Sequence, residues 1–199
     1  MQSYLPHTRA GQVIGLFGGS FDPPHAGHLH ISLEALRRFS LDRLWWVVSP
    51  GNPLKSRGPA PLVDRLAACR AMVDHPRIEV TDIETRFGTR FTAQTIEKLI
   101  LLRPGVRFVW LMGADNLAQF DHWQNWHSII NSVPVGVLAR PGQRISARMS
   151  KTARIYQDTR LPSRKSNLLG LAAPPRWCFV NVPMSSLSSS QIRARQTNV

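Results

Sequence analysis

Apolar runs alternate along the chain with segments whose apolar residues recur every three or four positions. A continuous apolar run such as residues 43–49 predicts a strand that is buried on both faces, and the second pattern predicts amphipathic helices. Regular alternation of the two is typical of a parallel sheet covered by helices. The pattern therefore predicts an α/β fold, a Rossmann-like parallel β-sheet flanked by helices.

The same pattern gives approximate bounds for the elements. We predict strands at residues 12–18, 43–49, 77–81, 106–112, 133–139 and 177–182. We predict helices at residues 28–39, 61–73, 92–102 and 116–131, and a short serine-led helix at 188–195. Residues 141–175 hold four prolines and are the least regular stretch. A loop of that length is usually functional or mobile.

Composition places few further limits on this picture. No break in composition marks a domain boundary, so we predict one domain at residues 12–199 after a mobile N-terminal extension at residues 1–11. Cys69 and Cys178 lie far apart among apolar neighbours, which favours two reduced core thiols in a cytoplasmic protein. Residues 1–12 hold no apolar core of signal-peptide length, and no apolar stretch approaches the roughly 18 residues of a membrane span. We expect a cytoplasmic protein that does not bind membranes.

The charge is strongly basic and unevenly distributed. The chain has 25 Lys and Arg against 12 Asp and Glu, a formal net charge of +13, which favours polyanions of any kind. Arg144, Arg148 and Lys151 would share one face of a helix. They indicate either a solvated surface or a nucleic-acid patch. Because no nucleic-acid-binding motif accompanies them, we expect no specific nucleic-acid partner.

The segment Gly18–His28 follows the first predicted strand and predicts a phosphate-binding turn. Gly18 and Gly19 allow the backbone to approach a ligand closely. A helix that begins near Gly27 would direct unsatisfied N–H groups at an anion, and His25 and His28 would add side-chain donors. Such a site holds phosphates and stabilises the charge that develops on them during a displacement.

Residues 19–28 read G-S-F-D-P-P-H-A-G-H and resemble the G-x-F-x-P-x-H-x-G-H motif of the HIGH-type nucleotidyltransferases. These enzymes transfer a nucleotidyl group from a nucleoside triphosphate to a phosphate or related acceptor and release pyrophosphate. The resemblance implies that His25 and His28 are catalytic. It also implies that the turn binds ATP, through residues Gly18, Gly19, Ser20, Phe21, His25 and His28.

A second motif lies near the C-terminus. The segment Leu187–Arg193 resembles the I-S-S-T-x-I-R motif that closes the ATP site in this superfamily. The resemblance assigns Ser189, Ser190 and Arg193 to the outer phosphates and makes Arg193 a catalytic residue. Alone, the segment is more typical of a capped terminal helix. With the first motif, it implies a nucleotidyltransferase fold whose short C-terminal helix completes the ATP site.

Two further features resemble the bacterial nicotinate-mononucleotide adenylyltransferases. The segment Gly113–Leu117, followed by Trp123, is similar to the G-A-D-x-L…W stretch of that branch. The resemblance implies that Asp115 binds the ribose of ATP, since a carboxylate at the carboxyl end of a parallel strand is well placed for it. It implies that Trp123 stacks on the pyridine ring. Trp126 is the alternative stacking residue, and core packing is an alternative for both.

Two weaker similarities concern nicotinate mononucleotide binding. Residues 50–55 are similar to a P-x-x-P-H-K loop in which Leu54 replaces histidine. This leaves Lys55 as a phosphate ligand or a solvated lysine, and Arg65 as a weaker candidate of the same kind. Residues 91–96 are similar to a segment that helps to bind the pyridine carboxylate, which points to Thr92 and Thr95. An N-cap role for Thr92 explains that residue equally well.

The resemblance covers residues 12–195 and implies a nicotinate-nucleotide adenylyltransferase. It would join ATP and nicotinate mononucleotide into nicotinate adenine dinucleotide (deamido-NAD) and release pyrophosphate, in NAD biosynthesis. Mg²⁺ would arrive with ATP, since no carboxylate cluster predicts a dedicated metal site. The alternatives are a pantetheine-phosphate or nicotinamide-mononucleotide acceptor, and a basic nucleic-acid-binding protein. The sequence does not decide whether the chain forms a homo-oligomer.

Overall fold

The computed structural model describes residues 5–51, 58–139 and 144–183, with Arg144 described by its backbone alone. The predicted C-terminal helix at 188–195 lies outside these ranges. Four of the candidate site residues also lie outside them: Lys55, Ser189, Ser190 and Arg193.

Seven strands form one sheet in the described residues. Their bounds are β1 Val13–Gly19, β2 Arg43–Val48, β3 Ile78–Thr81, β4 Arg107–Gly113, β5 Val135–Ala139, β6 Arg160–Leu161 and β7 Trp177–Asn181. The strand order is β3-β2-β1-β4-β5-β7-β6, and every neighbouring pair is parallel. The predicted Rossmann-like parallel sheet is confirmed.

Helices connect the strands and cover both faces of the sheet. Their bounds are α1 Ala26–Arg38, α2 Leu62–Met72, α3 Ile83–Phe87, α4 Thr92–Leu102, α5 Ala114–Ala118, α6 Trp126–Ser132, α7 Arg144–Arg148 and α8 Lys151–Ile155. Three 3₁₀ segments lie at Phe120–His122, Gln157–Thr159 and Ser163–Leu171.

Successive residues of each central strand enter different apolar clusters. In β4, Phe108, Trp110 and Met112 pack in one cluster, and Val109 and Leu111 pack in the other. Side chains of a strand alternate between the faces of its sheet, so the two clusters lie on opposite faces. Both faces are buried, which explains why these strands read as continuous apolar runs rather than as alternating patterns.

The predicted helix at 116–131 is wrong. The segment divides into α5, a 3₁₀ turn and α6, because Asn125 has a φ of 54° that no α-helix contains. The break lets neighbouring aromatic rings meet on one side of the sheet. The ring of Phe120 lies 5.3 Å from that of Trp123 and 5.8 Å from that of Trp126.

The helical spacing of Arg144, Arg148 and Lys151 does not correspond to one helix. The chain breaks between α7 and α8, where the Ser150 hydroxyl accepts a hydrogen bond from the Ala153 N–H and caps α8. Arg148 is exposed, with its guanidinium 5.3 Å from the centre of the Phe179 ring. These residues therefore do not form one uninterrupted helical face.

The N-terminal residues that the structure describes pack on the domain. Leu5 is buried in one of the apolar clusters, and the Gly11 N–H donates to the Gly105 carbonyl at 2.7 Å. Leu5 and Gly11 of the predicted N-terminal extension therefore contact the domain that follows.

The two cysteines are separate, buried thiols, as predicted. Burial raises the pKa of Cys69 to about 12 and that of Cys178 to about 11. Neither thiol is therefore a ready nucleophile. Within residues 5–51, 58–139 and 144–183, no helix is long and apolar enough to cross a membrane.

Candidate active site

The strand order reverses between β1 and β4. The chain moves from β1 toward β2 and β3 on one side, and from β4 toward β5 and β7 on the other. In open parallel sheets the crevice at the carboxyl ends of two such strands is the usual ligand site. Here α1 follows β1 and α5 follows β4, so the candidate residues of both motifs lie at this edge.

The turn after β1 takes its shape from the core below it. Phe21 has a φ of 46°, an unfavourable conformation for a bulky residue, yet it is almost completely buried. Its ring stacks on Trp46 at 4.7 Å and meets Phe17 edge-on at 5.8 Å. Packing therefore holds the strained backbone, as is common where a site requires a fixed geometry.

His25 and His28 cap the N-terminus of α1 with their own side chains. The Nδ1 atom of His25 accepts a hydrogen bond from the Gly27 N–H at 3.1 Å, and the Nδ1 atom of His28 accepts one from the His25 N–H at 3.2 Å. The two ring centres are 3.9 Å apart. Since each Nδ1 is an acceptor, each neutral ring carries its proton on Nε2. Both imidazoles are thus set as Nε2–H donors.

Gly18 and Gly113, at the ends of β1 and β4, leave room for neighbouring side chains of the protein to pack against the backbone. A Cβ atom at Gly18 would lie 2.4 Å from the Trp110 ring. A Cβ atom at Gly113 would lie 2.3 Å from Oδ1 of Asp115. Asp115 is exposed in the first turn of α5, where the helix dipole favours a carboxylate. The structure therefore places Asp115 at the edge where a ribose ligand was predicted.

The two candidate tryptophans differ in exposure. Trp126 is buried, and its ring stacks on His127 at 3.7 Å, so it belongs to the core. Trp123 is only partly buried and meets Trp110 edge-on at 6.2 Å. Because one face of a stacking residue must be accessible, Trp123 is the better candidate of the two.

The two candidate threonines also differ. Thr92 is partly exposed and is the first residue of α4, whose N-cap is Phe91; the alternative N-cap role for Thr92 is therefore wrong. Thr95 is buried, and its hydroxyl shares a 2.7 Å hydrogen bond with that of Thr89. The structure places Thr95 behind the helix start, where it supports the preceding loop.

Residues 16–195 match the cytidylyltransferase-like family. The chain belongs to this family. A relative from Roseobacter denitrificans, described as a probable nicotinate-nucleotide adenylyltransferase, is 62% identical over 195 residues, or 98% of each chain. A protein of the same description from Ruegeria pomeroyi is 63% identical over 98% of this chain and 91% of its own. The resemblance seen in the motifs is confirmed.

Two solved structures share the fold. The nicotinic acid mononucleotide adenylyltransferase of Plasmodium falciparum complexed with NaAD has a TM-score of 0.68 over 92% of this chain and 83% of its own, at 18% identity. The same enzyme complexed with APC also has a TM-score of 0.68 with the same coverage, at 16% identity. At these identities the likeness establishes the sheet and its connections.

Arg65 does not have the role predicted for it. It is 3% exposed and points its guanidinium at backbone carbonyls rather than at a ligand. It donates to four carbonyl oxygens, those of Ala60, Ser20, Ser49 and Pro50. The interpretation of Arg65 as a phosphate ligand is therefore wrong, because its hydrogen bonds join loops of this cytidylyltransferase-like domain.

The sequence reasoning missed Glu84, a buried carboxyl on α3. Burial raises its pKa to about 7, and a hydrogen bond with Ser49 opposes the rise. No motif or spacing identifies this residue. Among the described residues, no group of three or more His, Cys, Asp or Glu side chains converges on a metal position.

Proposed function

We propose that this chain transfers the adenylyl group of ATP to nicotinate mononucleotide. The products are nicotinate adenine dinucleotide and pyrophosphate, and the reaction is a step of NAD biosynthesis. One observation carries the assignment: a helix N-terminus capped by His25 and His28 lies at the switch point of a parallel sheet. The 62% identity to relatives described as nicotinate-nucleotide adenylyltransferases supports the choice of acceptor.

In the reaction, a phosphate oxygen of the mononucleotide attacks the α-phosphorus of ATP. The bond from that phosphorus to the oxygen that bridges to the β-phosphate breaks, and pyrophosphate leaves with the electron pair. Such transfers depend mainly on positioning and charge stabilisation, so no covalent enzyme intermediate is required. In this proposal the Nε2–H groups of His25 and His28 and the N-terminus of α1 stabilise the phosphates.

The proposed ATP site includes residues that the structure describes and three that lie beyond residue 183. Backbone groups of the turn at residues 18–21 would border the phosphates, and the Asp115 carboxylate would accept hydrogen bonds from the ribose hydroxyls. Ser189, Ser190 and Arg193 would bind the outer phosphates. Mg²⁺ enters as part of the substrate MgATP and keeps several of its waters, as is usual for this ion.

The proposed acceptor site lies on the other side of the crevice. The exposed part of Trp123 would stack on the pyridine ring. Thr92, at the start of α4, would donate to the pyridine carboxylate, with Thr95 behind it as support. Lys55 would bind the phosphate of the mononucleotide.

A pyrophosphate-release assay with wild type and two histidine variants tests the proposal. We expect release with ATP and nicotinate mononucleotide together, and none with either alone. His28→Ala should lower turnover by about 10²-fold or more, the usual effect of losing one preorganised donor. His75→Ala is the matched control, because it removes a histidine that precedes the amino end of β3, away from the carboxyl ends of the strands. Wild-type turnover in a folded His28→Ala protein would refute the role of His28.

A further inference from the structure

Two buried charged side chains converge on the same short segment. Among the Lys, Arg, Asp and Glu residues that the structure describes, two are buried: Arg65 of α2 and Glu84 of α3. Both bind residues 49–51, which follow β2: Arg65 through the Ser49 and Pro50 carbonyls, and Glu84 through Ser49. Buried charge is costly unless it is satisfied by hydrogen bonds, so this convergence requires an explanation.

Arg65 also reaches the phosphate-binding turn. One terminal nitrogen, Nη1, donates to the Ser20 carbonyl and to the Ser49 carbonyl, each at 2.7 Å. Nε donates to the Ala60 carbonyl at 2.7 Å, and the second terminal nitrogen donates to the Pro50 carbonyl at 3.3 Å. A single rigid guanidinium thus joins the segments that follow two neighbouring strands, β1 and β2. We call this guanidinium and its four carbonyl partners the Arg65 clamp.

Other contacts reinforce the same junction. The Ser49 N–H donates to the Gly19 carbonyl at 2.9 Å, and the Phe21 ring stacks on Trp46 of β2. Neither contact fixes the Ser20 carbonyl or the Pro50 carbonyl, and Arg65 donates to both. Within the second segment, the Ser49 hydroxyl donates to the Gly51 carbonyl at 2.7 Å.

We infer that Arg65 is a positioning residue of the adenylyl transfer: its clamp sets the distance between the phosphate-binding turn and the segment at residues 49–51. The inference rests on the proposed function. The Arg65 guanidinium is buried against backbone carbonyls, so its effect falls on the mutual alignment of the two ligands rather than on the binding of either one. A small misplacement of reacting groups lowers the rate by about 10²-fold.

Arg65→Ala tests the inference, and Arg70→Ala, which removes an exposed arginine from the same helix, is the matched control. We expect kcat to fall about 10²-fold in Arg65→Ala, while the Kd values for ATP and for nicotinate mononucleotide, each measured alone, change by less than about threefold. Ethylguanidinium should restore kcat by at least about tenfold in Arg65→Ala, because it supplies the fork of donors. Ethylammonium at the same concentration should not.

Amide hydrogen exchange gives a readout that does not depend on activity. Exchange should accelerate at residues 20–22 and at Ser49 and Gly51 in Arg65→Ala, and should stay unchanged in β4 and β5. If the wild type released no pyrophosphate, the proposed function would fail, whereas this measurement would still test the clamp. If Arg65→Ala does not fold, Arg65→Lys, which keeps the charge and loses the fork, should show the same changes in kcat and exchange.

Three results would overturn the inference. The first is that folded Arg65→Ala has the same kcat as Arg70→Ala. If Arg65→Ala is unfolded, the same comparison is made with Arg65→Lys. The second is a kcat loss that matches the unfolded fraction and is not rescued by ethylguanidinium. The third is unchanged exchange at residues 20–22 and 49–51.

Discussion

The buried carboxyl of Glu84 should make the stability of the protein depend on pH. Burial raises its pKa from 4.5 to about 7 in the folded state. Between these values the folded protein binds more protons than the unfolded chain, so the free energy of unfolding falls as pH rises. The shift corresponds to a contribution of about 3 kcal/mol to the free energy of unfolding. This contribution is present below about pH 4.5 and is fully lost above about pH 7.

Glu84→Gln should remove this dependence. Glutamine has the shape of the protonated carboxyl, and its amide oxygen can still accept a hydrogen bond from the Ser49 hydroxyl, so the variant should match the wild type near about pH 5. Near about pH 8 the variant should be more stable than the wild type, by up to about 3 kcal/mol. Other groups that titrate in this range contribute equally to both proteins and cancel in the difference.

Urea unfolding followed by circular dichroism at several pH values measures this difference. Glu97→Gln, which removes an exposed carboxylate on α4, is measured in parallel as the control. A difference between Glu84→Gln and the wild type that stays constant from about pH 5 to about pH 8 would refute the reasoning. The buried carboxyl would then have the same pKa in the folded and unfolded states.

Further predictions concern the acceptor and the basic residues. A site that offers donors to a carboxylate loses part of that match with an amide. We therefore expect kcat/KM for nicotinate mononucleotide to exceed that for nicotinamide mononucleotide by at least about tenfold, or about 1.4 kcal/mol; equal values would contradict the choice of acceptor. Replacing Arg144, Arg148 and Lys151 together with glutamine should leave kcat/KM within a few-fold of wild type, because these residues belong to no site motif. Filter binding should detect only weak, salt-sensitive DNA association; submicromolar binding at about 150 mM salt that the triple change abolishes would make nucleic acid a partner.

Much of the sheet was predictable from the sequence, because buried parallel strands require apolar residues on both faces. The runs around Trp45 and Trp110 give this signal clearly, and the predicted strands fall within a few residues of the observed ones. The strand predicted from residue 133 begins later, at Val135, since Pro134 has no N–H to donate to the ladder. Local chemistry explains each of these outcomes.

The breaks in helices were harder to predict. The segment 116–131 has helical spacing, yet Asn125 adopts a left-handed conformation because the aromatic rings on either side pack in the core. That preference arises from tertiary contacts and leaves no local signal beyond an asparagine. The same holds for α7 and α8, where Ser150 begins a new helix within an apparently continuous pattern.

The site was predictable to the extent that it resides in contiguous motifs. His25 and His28 could be located because their spacing follows a strand and begins a helix. The roles of Arg65 and Glu84 could not, because their partners are backbone carbonyls and a hydroxyl brought together from separate loops. An arginine or a glutamate within a helix usually indicates a solvent-exposed position, so only tertiary structure reveals Arg65 and Glu84 as buried.

The division of the apolar residues between two clusters affects which parts of the chain can change during evolution. An insertion of one residue within β4 would move Trp110 to the opposite face, away from Gly18 and Trp123, and would expel Leu111 from its own cluster. Length changes inside the strands therefore disrupt the packing of both apolar clusters at once. Insertions in loops at the carboxyl edge that carry no core residue disturb neither. New acceptor preferences in proteins of this architecture should thus arise through the loops, while the strand lengths stay constant.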